Sequence, residues 1–264
     1  MYAQVNGYRL FYEESGQGVP VVLLHGFPLS SRIWSPIRQT VTRHARLITP
    51  DLRGHGLSEK PDGRYSMESL AHDIATLVDH LGLETLVLGG HSMGGYITFQ
   101  FAQHYPDRLR GLILVDTRAE ADAEEGKARR LKAIAKIRTE GAAAFLEEFL
   151  PGLIGPSSKA SNPALVDELK AMAAPIPDHV LIGCLQGMLE RPDSRPLLQS
   201  LPIPVLVIVG EEDQLTPPSG ARAMAEALPM AELAVIPQAG HTPSLEAPQA
   251  VAQAILHFLR RPLP

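Results

Sequence analysis

The tightest constraint on this chain is the rhythm of its apolar runs. Val19–Leu24, Arg46–Thr49, Thr85–Leu88, Leu112–Val115, Val205–Val209 and Leu233–Ile236 are short stretches dominated by β-branched residues and leucine, separated by longer amphipathic segments. Runs of that kind, without polar alternation, suit strands buried on both faces, and such strands belong to parallel sheets covered by helices. Two earlier segments, Ala3–Val5 and Tyr8–Glu14, flank Asn6-Gly7, a dipeptide that favours a hairpin turn.

The helical signals fill the intervals. Ser66 is placed to cap a helix whose Leu70, Ile74, Leu77, Val78 and Leu81 share one face, with Gly82 to end it. Met93–His104 follows the Thr85–Leu88 run, Thr216-Pro217 reads as a cap and first turn, and Pro248–Leu259 is the last helix. One interval breaks the rhythm: between Val115 and Val205 lie about ninety residues without a strand signal, too long for an ordinary crossover. Helical patterns at Ala128–Arg138, Ala142–Leu150, Pro163–Ala173 and Asp178–Leu189 divide it. We therefore expect a core of residues 1–118 and 200–264, with residues 119–199 folded as a helical cap over one end of the sheet.

Composition narrows the function. The 264 residues are 45% hydrophobic with a net charge of −5, enough apolar material for a core and no basic stripe for a nucleic acid. No apolar run is long enough to span a membrane, and MYAQVNGYRLFYEES carries no signal-like apolar region, so a cytoplasmic protein is expected. The single cysteine, Cys184, precludes an internal disulfide or a cysteine-rich metal site and reads as a buried apolar residue.

The chemistry-bearing segment is Gly89-Gly90-His91-Ser92-Met93-Gly94-Gly95, between a buried strand and a helix. Gly90-x-Ser92-x-Gly94 is a nucleophile elbow: a sharp turn lifts the serine hydroxyl above the sheet, and the glycines let strand and helix approach. A serine needs a base, and the base an orienting acid. Val205–Val209 runs into Gly210-Glu211-Glu212-Asp213, and Leu233–Ile236 into Gly240-His241, so Asp213 and His241 are expected at the same carboxyl edge as Ser92. Asp116, at the end of its own strand, is the best rival acid, ahead of Glu211 and Glu212. His91 is expected to point away from Ser92 and support it. Met93 N–H and Phe27 N–H, the latter in His25-Gly26-Phe27-Pro28 after Val19–Leu24, are the candidate oxyanion donors.

With Asp51-Leu52-Arg53-Gly54-His55-Gly56-Leu57-Ser58 added, these motifs in this order resemble the α/β-hydrolase superfamily, in its cap-bearing esterase, lactonase and cofactor-free perhydrolase branch. The resemblance covers the whole chain and implies an α/β fold: a mostly parallel eight-stranded sheet flanked by helices, with the cap after the sixth strand. Small bacterial carboxylesterases are the most similar members, through Val115-Asp116-Thr117 and Glu190-Arg191-Pro192-Asp193-Ser194. Epoxide hydrolases and haloalkane dehalogenases of this superfamily carry Asp where this chain has Ser92. The implied reaction is hydrolysis of short-to-medium-chain carboxylic esters without metal or organic cofactor. A 3-oxoadipate enol-lactonase-like lactonase and a perhydrolase are the alternatives, and a triad-bearing small-ligand receptor with slow turnover is the alternative of another class.

Cap residues Phe145, Phe149 and Met188, together with His25 and Trp34, are expected to contact a small-molecule substrate. That substrate is expected to be neutral, because no paired arginine clamp stands in the motif loops. Nothing in the sequence implies a nucleic-acid or membrane partner, and monomer and homodimer stay open.

Overall fold

The computed structural model describes residues 1–264. Its strands are β1 (Tyr2–Val5), β2 (Tyr8–Ser15), β3 (Val19–Leu24), β4 (Ala45–Pro50), β5 (Leu86–His91), β6 (Leu109–Val115), β7 (Val205–Gly210) and β8 (Ala231–Ile236). They form one eight-stranded sheet in the order β1-β2-β4-β3-β5-β6-β7-β8. The hairpin β1–β2 and the pair β2–β4 are antiparallel, and every other pair is parallel. β5 and β7 are buried along their whole length, as their unbroken apolar runs demand of strands with helices on both faces. From β3 the chain steps one way to β4 and returns on the other side for β5. Strand order reverses at that point, and the crevice beyond the carboxyl ends of β3 and β5 is the natural place for a ligand.

The helices of the sheet layers are α1 (Ser35–Val41), α2 (Met67–His80) and α3 (Met93–His104), with α1 followed by β4 and α3 by β6. Ser66 caps α2 as its sequence indicates, its hydroxyl accepting from Ser69 N at 3.1 Å.

Between β6 and β7 the chain builds α4 (Glu124–Phe149), α5 (Pro156–Ser161), α6 (Ala164–Ala173), α7 (Asp178–Leu189) and α8 (Arg195–Leu198). The patterns at 128–138 and 142–150 merge into α4, interrupted only at Gly141, where φ is 83°. After β7 come α9 (Pro218–Ala227), α10 (Pro243–Glu246) and α11 (Pro248–Leu259). α1 packs on α11 and α2 on α3. The short helices α1, α5, α8 and α10 escape a periodicity reading because none completes more than two turns. α9 starts at Pro218 rather than at the anticipated cap, because the Thr216 hydroxyl is committed elsewhere, to Asp213.

α4 and α7 pack against each other above the sheet edge. A buried clasp closes the base of this helical segment. Arg191, just after α7, bonds Asp122 Oδ1 at 3.0 Å, Met188 O at 2.9 Å and Glu120 O at 2.8 Å, with its guanidinium 4.1 Å from the centroid of the Tyr96 ring. Arg130 holds the other Asp122 oxygen. Burial alone would raise the Asp122 carboxyl, but its bonds to Arg191 and Arg130 outweigh that and bring it down to about 2.

Candidate active site

Ser92 sits where β5 turns into α3, with φ 52° and ψ −112°, a conformation that costs a non-glycine residue energy and persists only because its surroundings impose it. Ser92 N donates to Val115 O at 2.9 Å, and the Thr117 hydroxyl donates to Ser92 O at 2.8 Å, so β6 holds the turn from both sides. A side chain at Gly90 would come within 2.2 Å of the Gly94 backbone, which is why the elbow needs glycine there.

His241 lies beyond β8. Its Nε2 is 2.9 Å from Ser92 Oγ, and its Nδ1 is 2.7 Å from Asp213 Oδ2. Asp213, past the end of β7, is deeply bonded: Oδ1 accepts from Leu215 N (2.8 Å) and Thr216 N (3.1 Å), and Oδ2 from the Thr216 hydroxyl (2.5 Å). Burial would push its pKa up; the charge and hydrogen bond of His241, with further bonds from Asp116 and Thr216, hold it well below the usual carboxylate range. The sequence marks Thr216 only as a helix cap; its hydroxyl serves Asp213 instead, next to the Asx-type turn that Leu215 N closes on Asp213 Oδ1.

Asp116 is beside this pair, outside the hydrogen-bonded line from Ser92 through His241 to Asp213. At φ 42° it ends β6, and its Oδ1 accepts from Gly210 N at 2.8 Å. Burial, and next the charge of Asp213, push its carboxyl well above the ordinary range, which favours its neutral form beside the Asp213 carboxylate. Two carboxylates in a dry site cannot both ionise, and the environment separates their roles. Donor atoms of Asp116, Asp213 and His241 lie within 4.8 Å of one another, the density a metal site would have. Hydrogen bonds already occupy the Asp213 oxygens and both ring nitrogens of His241, so the donors are arranged as a relay between neighbours.

The loop carrying His241 is sewn in place by Glu246, a residue that no sequence motif marks. Glu246 Oε2 accepts from Gly155 N and Gly240 N, both at 2.8 Å, and Oε1 from Thr242 N and the Thr242 hydroxyl, both at 3.0 Å. His241 N in turn donates to Leu153 O at 2.9 Å. His91 donates from Nε2 to His241 O at 2.5 Å, and burial lowers it to about 3, so it braces the loop as a neutral ring.

Phe27 follows β3 and shares the cavity wall with Ser92. A side chain at Gly26 would reach within 3.0 Å of Ser92 Cβ, so this turn passes directly over the elbow. Neither Phe27 N nor Met93 N donates to a backbone acceptor in the turns and caps.

A cavity of about 690 Å³ opens above Ser92 and His241, walled by Phe27, Phe145, Phe149, Leu185 and Met188. Two residues expected there are elsewhere. His25 is fully buried, donating from Nδ1 to Gly26 O (2.9 Å) and accepting at Nε2 from Leu52 N (2.9 Å); burial lowers it to about 4. It ties the β3 turn to the segment after β4. Trp34 is also fully buried, its ring edge-on to His91 at 6.5 Å. Both were expected to contact substrate because they come after a motif strand, but their side chains turn inward. Asp51 of the glycine-rich loop is likewise a scaffold, accepting from Ser31 N (2.7 Å) and Leu57 N (2.8 Å). Cys184 is buried, and burial pushes its thiol far up.

The family model described as alpha/beta hydrolase fold matches residues 19–248. Over 114 residues the chain is 40% identical to a soluble epoxide hydrolase of Corynebacterium sp. (strain C12), covering 43% of this chain and 40% of that protein. Over 110 residues it is 37% identical to haloalkane dehalogenase 2 of Mycobacterium tuberculosis, covering 41% of this chain and 38% of that one. The match thus spans about two fifths of the length of these curated relatives. Among solved structures, a thermophilic esterase from Thermogutta terrifontis, determined with malate bound, superposes with TM-score 0.94 at 42% identity, over 98% of this chain and 97% of that one. The enol-lactonase from Burkholderia xenovorans LB400 superposes with TM-score 0.90 at 27% identity, over 99% and 100%. With the eight-stranded sheet and the strained serine turn at its carboxyl edge, these similarities identify the chain as a member of the α/β-hydrolase fold family.

Proposed function

We propose that this protein is a serine ester hydrolase of carboxylesterase type, acting on short-to-medium-chain carboxylic esters through an acyl-enzyme, with a lactonase as the alternative reading. The observation that carries this reading is the unbroken line from Ser92 Oγ to His241 Nε2 (2.9 Å) and from His241 Nδ1 to Asp213 Oδ2 (2.7 Å). Ser92 Oγ attacks the ester carbonyl as its proton passes to Nε2 of neutral His241. Asp213 fixes the imidazole tautomer and stabilises the cation that forms. Phe27 N–H and Met93 N–H donate to the carbonyl oxygen as it becomes an oxyanion. His241 then returns the proton to the departing alcohol. In deacylation it takes a proton from water, whose oxygen adds to the acyl carbon, and gives it to Ser92 as the acid leaves.

The esterase and enol-lactonase neighbours support ester and lactone cleavage. The epoxide hydrolase and dehalogenase relatives share a shorter stretch, and the resemblance drawn from the sequence motifs implies an aspartate in such enzymes where this chain has Ser92. No helix is long and apolar enough to cross a membrane.

Initial rates on p-nitrophenyl acetate, butyrate, octanoate and palmitate test the proposal. Sustained turnover that is best on the shorter chains and lost in Ser92→Ala is expected. Best activity on palmitate, or a single slow turnover with retained product, would refute it.

A further inference from the structure

The cavity above Ser92 is more cationic than the chain around it. Arg118, Arg129, Arg130, Lys132 and Lys136 line it with only Asp122 and Glu148 as acidic groups, in a protein whose net charge is −5. Two of these cations are committed: Arg130 to Asp122, and Lys136 to Glu140 (3.0 Å) and Glu148 (2.7 Å). Arg118, Arg129 and Lys132 have no carboxylate partner. Arg129 and Lys132 lie exposed on α4, where they form the rim, whereas Arg118 is half-buried inside.

Arg118 stands close to the reacting atoms. It follows Thr117, whose hydroxyl holds Ser92 O at 2.8 Å, and its Nη2 donates to Leu215 O, in the loop that binds Asp213. That bond fixes the guanidinium between the β6 and β7 loops. Its Nε is shut off from water, and so from a ligand, whereas its Nη1 has no partner and stays open to the cavity. A hydrogen bond from that charged nitrogen is best met by an anion.

On the ester-hydrolase reading above, we infer that Arg118 is the floor of an anion subsite, and that the preferred substrate is a short ester bearing a free carboxylate a few bonds from the scissile carbonyl. Arg129 and Lys132 draw that anion in from the rim, and the phenylalanines of α4 cover the spacer between the two ends. The neutral substrate expected from the motif loops is thereby revised. The cations come from the residue after β6 and from a helix whose charges, read along the sequence, look like an ordinary solvated face.

The test compares mono-4-nitrophenyl glutarate with 4-nitrophenyl valerate, which have the same acyl length and differ in the terminal carboxylate. The readout is the ratio of their kcat/KM values within each variant, so that any general loss of activity cancels. Wild type should favour the glutarate ester by about tenfold or more, and Arg118→Gln should lower the ratio by about 10- to 100-fold, the worth of a charge-assisted hydrogen bond. Raising ionic strength should lower the ratio in wild type. The exposed double variant Arg129→Gln/Lys132→Gln should weaken that salt dependence, and it decides the matter with the salt series if Arg118→Gln does not fold. A wild-type ratio near one, or a ratio unmoved by these substitutions, overturns the subsite while leaving ester hydrolysis intact. No turnover of either ester, with Ser92 inert to a serine-directed phosphonate, overturns the hydrolase reading and the subsite with it.

Discussion

Removing Glu246 should uncouple His241, the proposed catalytic base, from its support, and the structure allows the loss to be sized. Its two oxygens accept four donors: Gly155 N, Gly240 N, Thr242 N and the Thr242 hydroxyl, at 2.8, 2.8, 3.0 and 3.0 Å. A hydrogen bond to a charged acceptor contributes about 1.5–3 kcal/mol when water cannot replace it. Glu246 is half-buried, so water recovers part of this, and Glu246→Ala should cost about 2–4 kcal/mol in stability. At about 2–4 °C per kcal/mol for a chain of this size, the thermal midpoint should fall by about 4–16 °C. Activity should suffer beyond stability, because Gly240 and Thr242 flank His241. A displacement of the imidazole by about 1 Å costs about 10²-fold in rate. The assay is a calorimetric melt with kcat on p-nitrophenyl butyrate, well below the midpoint. Glu212→Ala is the control. Glu212 accepts from Ser157 N at 2.9 Å and from the Ser157 hydroxyl, tying the same neighbourhood together without touching the residues beside His241. It should lower the midpoint by less and leave kcat near wild type. An unchanged kcat in Glu246→Ala, or an equal loss in both variants, would refute the idea that Glu246 positions His241.

Asp213→Asn should reduce kcat by about 10⁴-fold, since the amide favours the wrong imidazole tautomer, whereas Asp116→Asn keeps a donor toward Asp213 and should retain most activity; the reverse pattern on p-nitrophenyl butyrate would make Asp116 the orienting acid. Because the folded pKa of Asp116 is raised, it stabilises the fold below its unfolded value and this contribution is lost as pH rises. Asp116→Asn should therefore melt no lower than wild type at alkaline pH, as a pH series of melts would show. Asp122 has the opposite sign: its depressed pKa of about 2 stabilises the fold above the unfolded value, and this is lost as pH falls from about 4 to about 2. Stability measured over that range should fall by about 2 kcal/mol less in Asp122→Asn than in wild type.

The residues of the proposed triad are legible where local chain geometry fixes them. Ser92, Asp213 and His241 each come after a buried strand, and parallel strands bring their carboxyl ends to one edge, so three distant segments meet without long-range information. Met188, Phe145 and Phe149 emerge from an apolar helical pattern and line the cavity. A side chain just past a strand need not face the crevice, however. His25 and Trp34 are the instances, since proximity to a motif says nothing about which way a side chain turns. Glu246 was invisible for a different reason. It sits one residue beyond the position at which an acidic side chain completes a capping box with Thr242, so no local signature marks it. The cations of α4 were hidden by averaging, since an amphipathic face looks the same whether it meets bulk water or a cavity mouth.

Every step of the proposed chemistry depends on Ser92 as the nucleophile. Treating the intact protein with a fluorophosphonate and reading the adduct by mass spectrometry should give one equivalent of label on the peptide containing Ser92. In Ser92→Ala the label should vanish, while the circular dichroism spectrum and thermal midpoint match a folded protein. Label retained in Ser92→Ala, or a wild-type protein that turns over esters yet never carries the adduct on Ser92, would contradict it.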